Sequence, residues 1–189
     1  MHPEISFFHL QAILMKRTFF LLTLTGLVAC QKQDTVADTK VLMSSDIDSL
    51  VGWVAGPNTF SKGKAHSGKY SLGVDQSHEF SPNYAAMLGD VFSTRPRGVK
   101  LSAWVYATDE HSGGKLEFVL KDGTNGQEQF RKQFRLTEVG GYGKWVRLEQ
   151  EINFPKEVTY SSQIFMYVSR AESTTPAYVD DLQLTALTN

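Results

Sequence analysis

The sequence predicts an all-β protein: an antiparallel two-sheet β-sandwich of jelly-roll type. Three observations carry this. Apolar and polar residues alternate with period two through most of the chain beyond Lys40. Turn signals rich in Gly, Asn, Asp and Pro recur between the alternating runs. Helical apolar spacing is not sustained anywhere beyond Lys40.

The elements follow in order. Three weak strands come first, over Lys40–Met43, Tyr70–Val74 and Tyr84–Leu88. Val99, Leu101, Ala103 and Val105 then point one way, and Ser102, Trp104 and Tyr106 the other. Leu116, Phe118 and Leu120 oppose Glu117, Val119 and Lys121. Phe130, Phe134 and Leu136 oppose Gln129, Arg131, Gln133 and Arg135. Val146, Leu148, Gln150 and Ile152 oppose Trp145, Arg147, Glu149 and Glu151. Ile164, Met166 and Val168 oppose Phe165 and Tyr167, and a last strand carries Tyr178, Asp180, Leu182 and Leu184 on one side. Turns lie at Asp109 to Gly114, Asp122 to Gly126, Gly140 to Gly143 and Ser173 to Pro176. About eight or nine short strands with regular turns describe a sandwich.

The N-terminus reads as an address. Lys16 and Arg17 precede an apolar run from Phe19 to Ala29, too short for a membrane-spanning helix, which needs about 20 residues. A charged start, a short apolar stretch and small residues at the cut form a secretory signal. Leu27-Val28-Ala29-Cys30 closes it and resembles the lipobox of bacterial lipoproteins, with Cys30 the sole cysteine of the chain. The resemblance implies cleavage before Cys30, acylation of its thiol with diacylglycerol and palmitate-type chains, and anchorage to the lipid membrane of the cell envelope. Gln31 after the cysteine, where an aspartate is absent, leans in that family towards the outer membrane of a Gram-negative bacterium. Met15 is the better initiator, since Glu4 and His9 interrupt the apolar residues before it. The division is therefore 1–30 signal peptide with lipobox, 31–40 polar tether and 41–189 jelly-roll domain.

Cutting at Cys30 removes Lys16, Arg17 and Glu4, and leaves 17 Lys and Arg against 19 Asp and Glu. That near-neutral balance argues against nucleic acid, which asks for a basic face. With one cysteine there is no disulfide and no thiolate metal site.

The string Ala65-His66-Ser67-Gly68-Lys69-Tyr70-Ser71-Leu72 resembles the "HSGKYSL" segment of jelly-roll carbohydrate-binding modules with the galactose-binding-like fold. Asp46-Ile47-Asp48-Ser49 with Gly52-Trp53 resembles that family's opening segment, and Leu101 to Tyr106 its central strand. Gly143 to Leu148 and Tyr178 to Leu184 resemble its closing strands. The resemblance implies a structural calcium ion pinning first and last strands. Its ligands by position are Asp48, the carbonyls of His66 and Lys69, and Asp180 or Asp181. Hard oxygens of this kind suit calcium. By strand parity Asp180 shares the face of Leu182 and Leu184, and a carboxylate on an apolar face calls for a cation or a partner. The competing reading is a pair of solvated edge aspartates.

Sugar recognition needs aromatic platforms and polar groups for hydroxyls. Parity gathers Trp104, Tyr106, Phe165 and Tyr167 away from the core, with Gln129, Arg131, Gln133, Arg135, Glu117, Glu149 and Glu151; Trp53, Tyr142 and Trp145 would line the rim from loops or strand starts. These residues predict a concave, polysaccharide-binding face, and Arg131 with Arg135 would suit an acidic glycan. The competing reading places Trp104 in a core covered on both faces.

No catalytic role is expected. Ser67 lacks the glycine-flanked nucleophile elbow, and His66, His78 and His111 lack zinc spacing. Glu149 with Glu151, or His78 with Glu79 and Tyr84, are the remote enzymatic alternatives. The expectation is a non-catalytic carbohydrate-binding lipoprotein; the alternative is an assembly lipoprotein with an envelope protein partner.

Overall fold

A computed structural model of the 189-residue chain describes residues 40–49, 53–54, 60–93 and 97–187. The signal peptide, Cys30 and residues 31–39 of the tether lie outside the described residues, as does Gly52.

Among the described residues, ten strands form two antiparallel sheets. They are β1 (Val41–Ser45), β2 (Trp53–Val54), β3 (Leu72–Val74), β4 (Asn83–Met87), β5 (Gly98–Ala107), β6 (Lys115–Asp122), β7 (Glu128–Arg135), β8 (Trp145–Asn153), β9 (Ser162–Ser169) and β10 (Ala177–Ala186). One sheet has the order β1-β10-β5-β8, with β3 also paired to β10. The other has the order β2-β4-β9-β6-β7. β1 and β3 occupy successive lengths of the same edge of β10: β1 pairs with Leu182 to Thr185, β3 with Ala177 to Val179. This is the jelly-roll sandwich the period-two pattern predicts.

Parity sets the core. Val99, Leu101, Ala103 and Val105 of β5 meet Leu116, Phe118 and Leu120 of β6 and Ile164, Met166 and Val168 of β9, all buried. Full burial of such a side chain contributes about 1.5–3 kcal/mol relative to exposure, so strands of this composition hold together face to face.

Three local features depart from the sequence reading. The strand expected over Tyr84–Leu88 stops at Met87, and Leu88–Val91 makes one helical turn, α1, with Leu88 buried. Leu136 leaves the β7 strand and opens a 3-10 turn over Leu136–Glu138. The third departure is the parity of β10. A β-bulge interrupts its pairing with β5 between Asp180 and Gln183, and Asp181 takes φ 47°. A bulge adds one residue to one strand and re-aims the side chains around it. Asp180 therefore pairs with Trp104 on the outer face, whereas Leu182 and Leu184 remain in the core. The expectation that Asp180 shares their face is corrected by that extra residue.

Candidate functional site

The outward aromatic residues divide between two opposite faces. Trp104 and Tyr106 sit on β5 of the first sheet; Phe165 and Tyr167 sit on β9 of the second. Glu149 and Glu151 belong to β8 of the first sheet, and Glu117, Arg131 and Gln133 to β6 and β7 of the second. Parity correctly exports these side chains from the core, but it does not say which sheet a strand joins. The single shared platform expected from the sequence is replaced by two separate faces.

On the first face the rings cover one another. The His66 imidazole lies flat on Trp104, with centroids 4.1 Å apart and planes 14° from parallel. Trp145 packs edge-on against both His66 and Tyr106, at 5.6 and 5.5 Å. Tyr178 packs edge-on against Tyr106, and the Lys64 ammonium stands 4.1 Å over the Tyr106 ring. The segment from Lys64 to Tyr70 thus straps down the outer face of β5, and its contacts occupy the ring faces a sugar would need. Trp53 is also removed from the rim: it is buried, donates Nε1 to Ser45 Oγ at 3.0 Å, and meets Phe60 and Tyr84 edge-on.

The strap is held by three carboxylates. Asp180 is fully buried and accepts the amides of His66, Ser67 and Asp181 at 2.7, 3.2 and 2.8 Å. Burial pushes its pKa up, against the pull of those three N–H groups. Asp181 accepts from the Ser67 hydroxyl and contacts His66 Nδ1. Asp48 accepts the amides of Lys69 and Tyr70. Gly68 stands between them at φ 58°, and a Cβ there would lie 1.9 Å from Asp48 Oδ2.

These are the residues named as calcium ligands, and the donor set bears on that expectation. In a trans peptide the carbonyl points opposite to the N–H. Ser67 N–H faces Asp180 and Tyr70 N–H faces Asp48, so the carbonyls of His66 and Lys69 turn away from those carboxylates. In this arrangement amide N–H groups, not those two carbonyls, face the carboxylates of Asp48 and Asp180. Among the described residues no three His, Cys, Asp or Glu side chains cluster as a metal site.

The second face carries an open groove of about 390 Å³, lined by Phe80, Ser81, Asn83, Val119, Lys121, Phe165 and Tyr167. Strand register builds it in rows. Tyr167, Glu117 and Gln133 stand opposite one another across β9, β6 and β7. Ala85, Phe165, Val119 and Arg131 form the next row, and Gln163 and Lys121 the one after. Neighbouring strands are about 4.8 Å apart, so the floor steps across β4, β9, β6 and β7 at that interval. Phe80 is exposed and packs edge-on against Tyr167 at 6.0 Å, forming one wall. Phe165 lies two residues before Tyr167 on the same face of β9, with the Lys121 ammonium 4.9 Å above its ring.

Beside the floor lies a polar network. Glu117 is buried, against its expected exposure, because β7 and β9 flank β6 on both sides. It accepts from Arg131 Nη1, Gln133 Nε2 and Ser169 Oγ, each at 2.9 Å. Arg131 also donates to the Tyr167 hydroxyl at 3.2 Å, and binds Glu128 through Nε and Nη2. The bonds to Glu128, Tyr167 and Glu117 hold its pKa well above the usual arginine range. The same pairing holds Glu128 below the usual glutamate value.

Of the residues named from sequence, this face brings together Arg131, Gln133, Phe165 and Tyr167. Glu117, also gathered there by parity, joins them, and the face adds Phe80, Asn83 and Lys121. Phe80 enters through a single bridge to Ser169 outside any named strand, so no alternation marked it. The enzymatic alternatives do not assemble. Tyr84 is in the core, whereas the His78 side chain is exposed and held by Asp75. Glu149 is tied to Lys100 and Arg147 at 2.9 Å each.

No protein-family profile matches the sequence, and no curated protein matches it. Solved structures do. One is the CBM22-1 xylan-binding domain of Paenibacillus barcinonensis Xyn10C, at TM-score 0.52 and 20% identity over 80% of this chain and 97% of that one. Another is the C-terminal family 22 carbohydrate-binding module of Clostridium thermocellum Xyn10B, at 0.51 and 18% over 79% and 96%. A family 16 carbohydrate-binding module matches at 0.50 and 14% over 74% and 94%. The chain has the β-sandwich fold of carbohydrate-binding modules.

Proposed function

We propose that this chain is a non-catalytic carbohydrate-binding lipoprotein of the cell envelope, holding a polysaccharide across the β4-β9-β6-β7 face. One observation carries the reading: the groove is lined by the rings of Phe80, Tyr167 and Phe165, and beside it the Arg131 guanidinium and Gln133 amide are fixed by hydrogen bonds to Tyr167 and Glu117. Apolar ring faces suit sugar C–H surfaces, and fixed polar groups suit hydroxyls. Structures of the same fold described as xylan-binding favour a xylan-like ligand. The Cys30 lipid and the tether would hold the domain at the outer membrane.

Affinity electrophoresis of the mature domain against a glycan panel tests this. Tyr167→Ala and Phe80→Ala should abolish retardation, and Trp104→Ala, on the opposite face, should preserve it. Retardation lost only in Trp104→Ala would place the site on the wrong sheet; none by any glycan would end the reading. The alternative is an assembly role through the same face, which a glycan-independent partner in detergent pull-downs would support.

Calcium is a separate proposal. An ion at Asp48 and Asp180 requires the peptides of residues 66–70 to turn carbonyls towards those carboxylates. Ligand-linked stabilisation raises the unfolding midpoint, so chelator should lower it; an unchanged midpoint removes the ion.

A further inference from the structure

We propose that the groove selects glycans bearing uronic acid groups and that Lys121 makes the selection, an inference that rests on the glycan-binding reading above. Lys121 lines the groove, and its ammonium stands 4.9 Å over the Phe165 ring. A sugar held in the groove against Tyr167 and Phe80 has its substituents beside this cation.

The neighbouring charges are already committed. Glu128 is the cross-strand partner of Lys121 and feels its charge, but its carboxylate is bonded to Arg131 Nε and Nη2 at 3.1 and 2.6 Å. Glu117 is buried and bonded to Arg131 Nη1. Arg131, the cation that sequence alone singles out for an acidic ligand, has all three of its nitrogens engaged. Arg135 is paired with Glu138. Among the described residues, no carboxylate lies within ion-pair distance of Lys121; ion pairs are made by Lys100, Arg131, Arg135, Arg147 and three histidines.

An ammonium is a compact charge with three donors, matched to a single carboxylate. Bonds between ionised groups are stronger than neutral ones, and groove walls reduce screening by water. A uronate in the chain therefore gains an ion pair at Lys121 that a neutral sugar does not.

The test is titration of the detergent-solubilised protein with a uronate-bearing xylan and with the same polymer after chemical reduction of its carboxyls. The wild type should bind the native polymer about fivefold more tightly, and about 0.5 M salt should close the gap. Lys121→Met, which keeps the apolar stem, should bind both polymers as the wild type binds the reduced one. Equal wild-type affinity for both overturns the selection while leaving glycan binding intact. A gap that survives in Lys121→Met overturns the assignment to Lys121. Binding of neither polymer overturns this inference and the reading beneath it.

Discussion

Removing the Glu117 carboxylate tests whether the groove's polar network contributes to the fold as well as to binding. Glu117→Ala deletes the acceptor of three hydrogen bonds of 2.9 Å. The three donors are not equivalent. The Arg131 side chain is 33% exposed and keeps Glu128, and Gln133 is exposed and turns to water. Ser169 is buried and has no such recourse. A hydrogen bond contributes about 1 kcal/mol net, and a stranded buried donor costs about 1–3 kcal/mol. Relief of the buried charge offsets part of that sum, leaving an expected loss of about 2 kcal/mol. For a domain of this size that is a fall of about 4–8 °C in Tm. Glu117→Gln retains an acceptor for Gln133 and Ser169 but turns an amide N–H towards Arg131, so it should fall between wild type and alanine. Thermal melts of the three proteins at neutral pH make the measurement. The reasoning fails if Glu117→Ala melts within a degree of wild type, or if Glu117→Gln is the worse of the two.

Gly68→Ala places a Cβ on Asp48 Oδ2 at a positive φ; strain and the lost Lys69 and Tyr70 bonds should cost about 2 kcal/mol in chemical denaturation. When Asp48 is already alanine, the clash and the lost bonds drop out and only the cost of the positive φ, about 1 kcal/mol, should remain. His66→Ala uncovers the Trp104 ring and frees Asp181; tryptophan emission should shift to the red, with a loss of about 1–2 kcal/mol. Acid should weaken the fold through Glu128, whose pKa Arg131 holds below the ordinary 4.5. A depressed folded pKa contributes stability above the unfolded value and loses it as pH falls through the folded one. The Tm of the wild type should therefore drop below about pH 4.5, and that of Arg131→Met should drop less steeply there. Asp180, raised by burial, works in the opposite sense: its contribution is present below its ordinary 3.8 and is lost as pH rises.

Most of the sandwich was legible because alternation records burial directly. The alternating burial of β5 and β9 is the pattern written in Val99 to Tyr106 and Ile164 to Val168. Glu117 escaped that logic, since a central strand buries even its outward side chains between neighbours. The Asp180 bulge escaped it because one inserted residue reverses parity without changing composition. Phe80 carried no periodic signal at all.

The order of hydrophobic and polar residues along this chain determined its strands, its layers and which side chains leave the core, because each is a local consequence of backbone period. Strand pairing across the sheets decided the rest: that Trp104 lies under His66 on one face, and that Phe165 and Tyr167 wall a groove on the other. Such placement depends on hydrogen bonds between residues far apart in the chain, and period two is the same whichever sheet a strand joins.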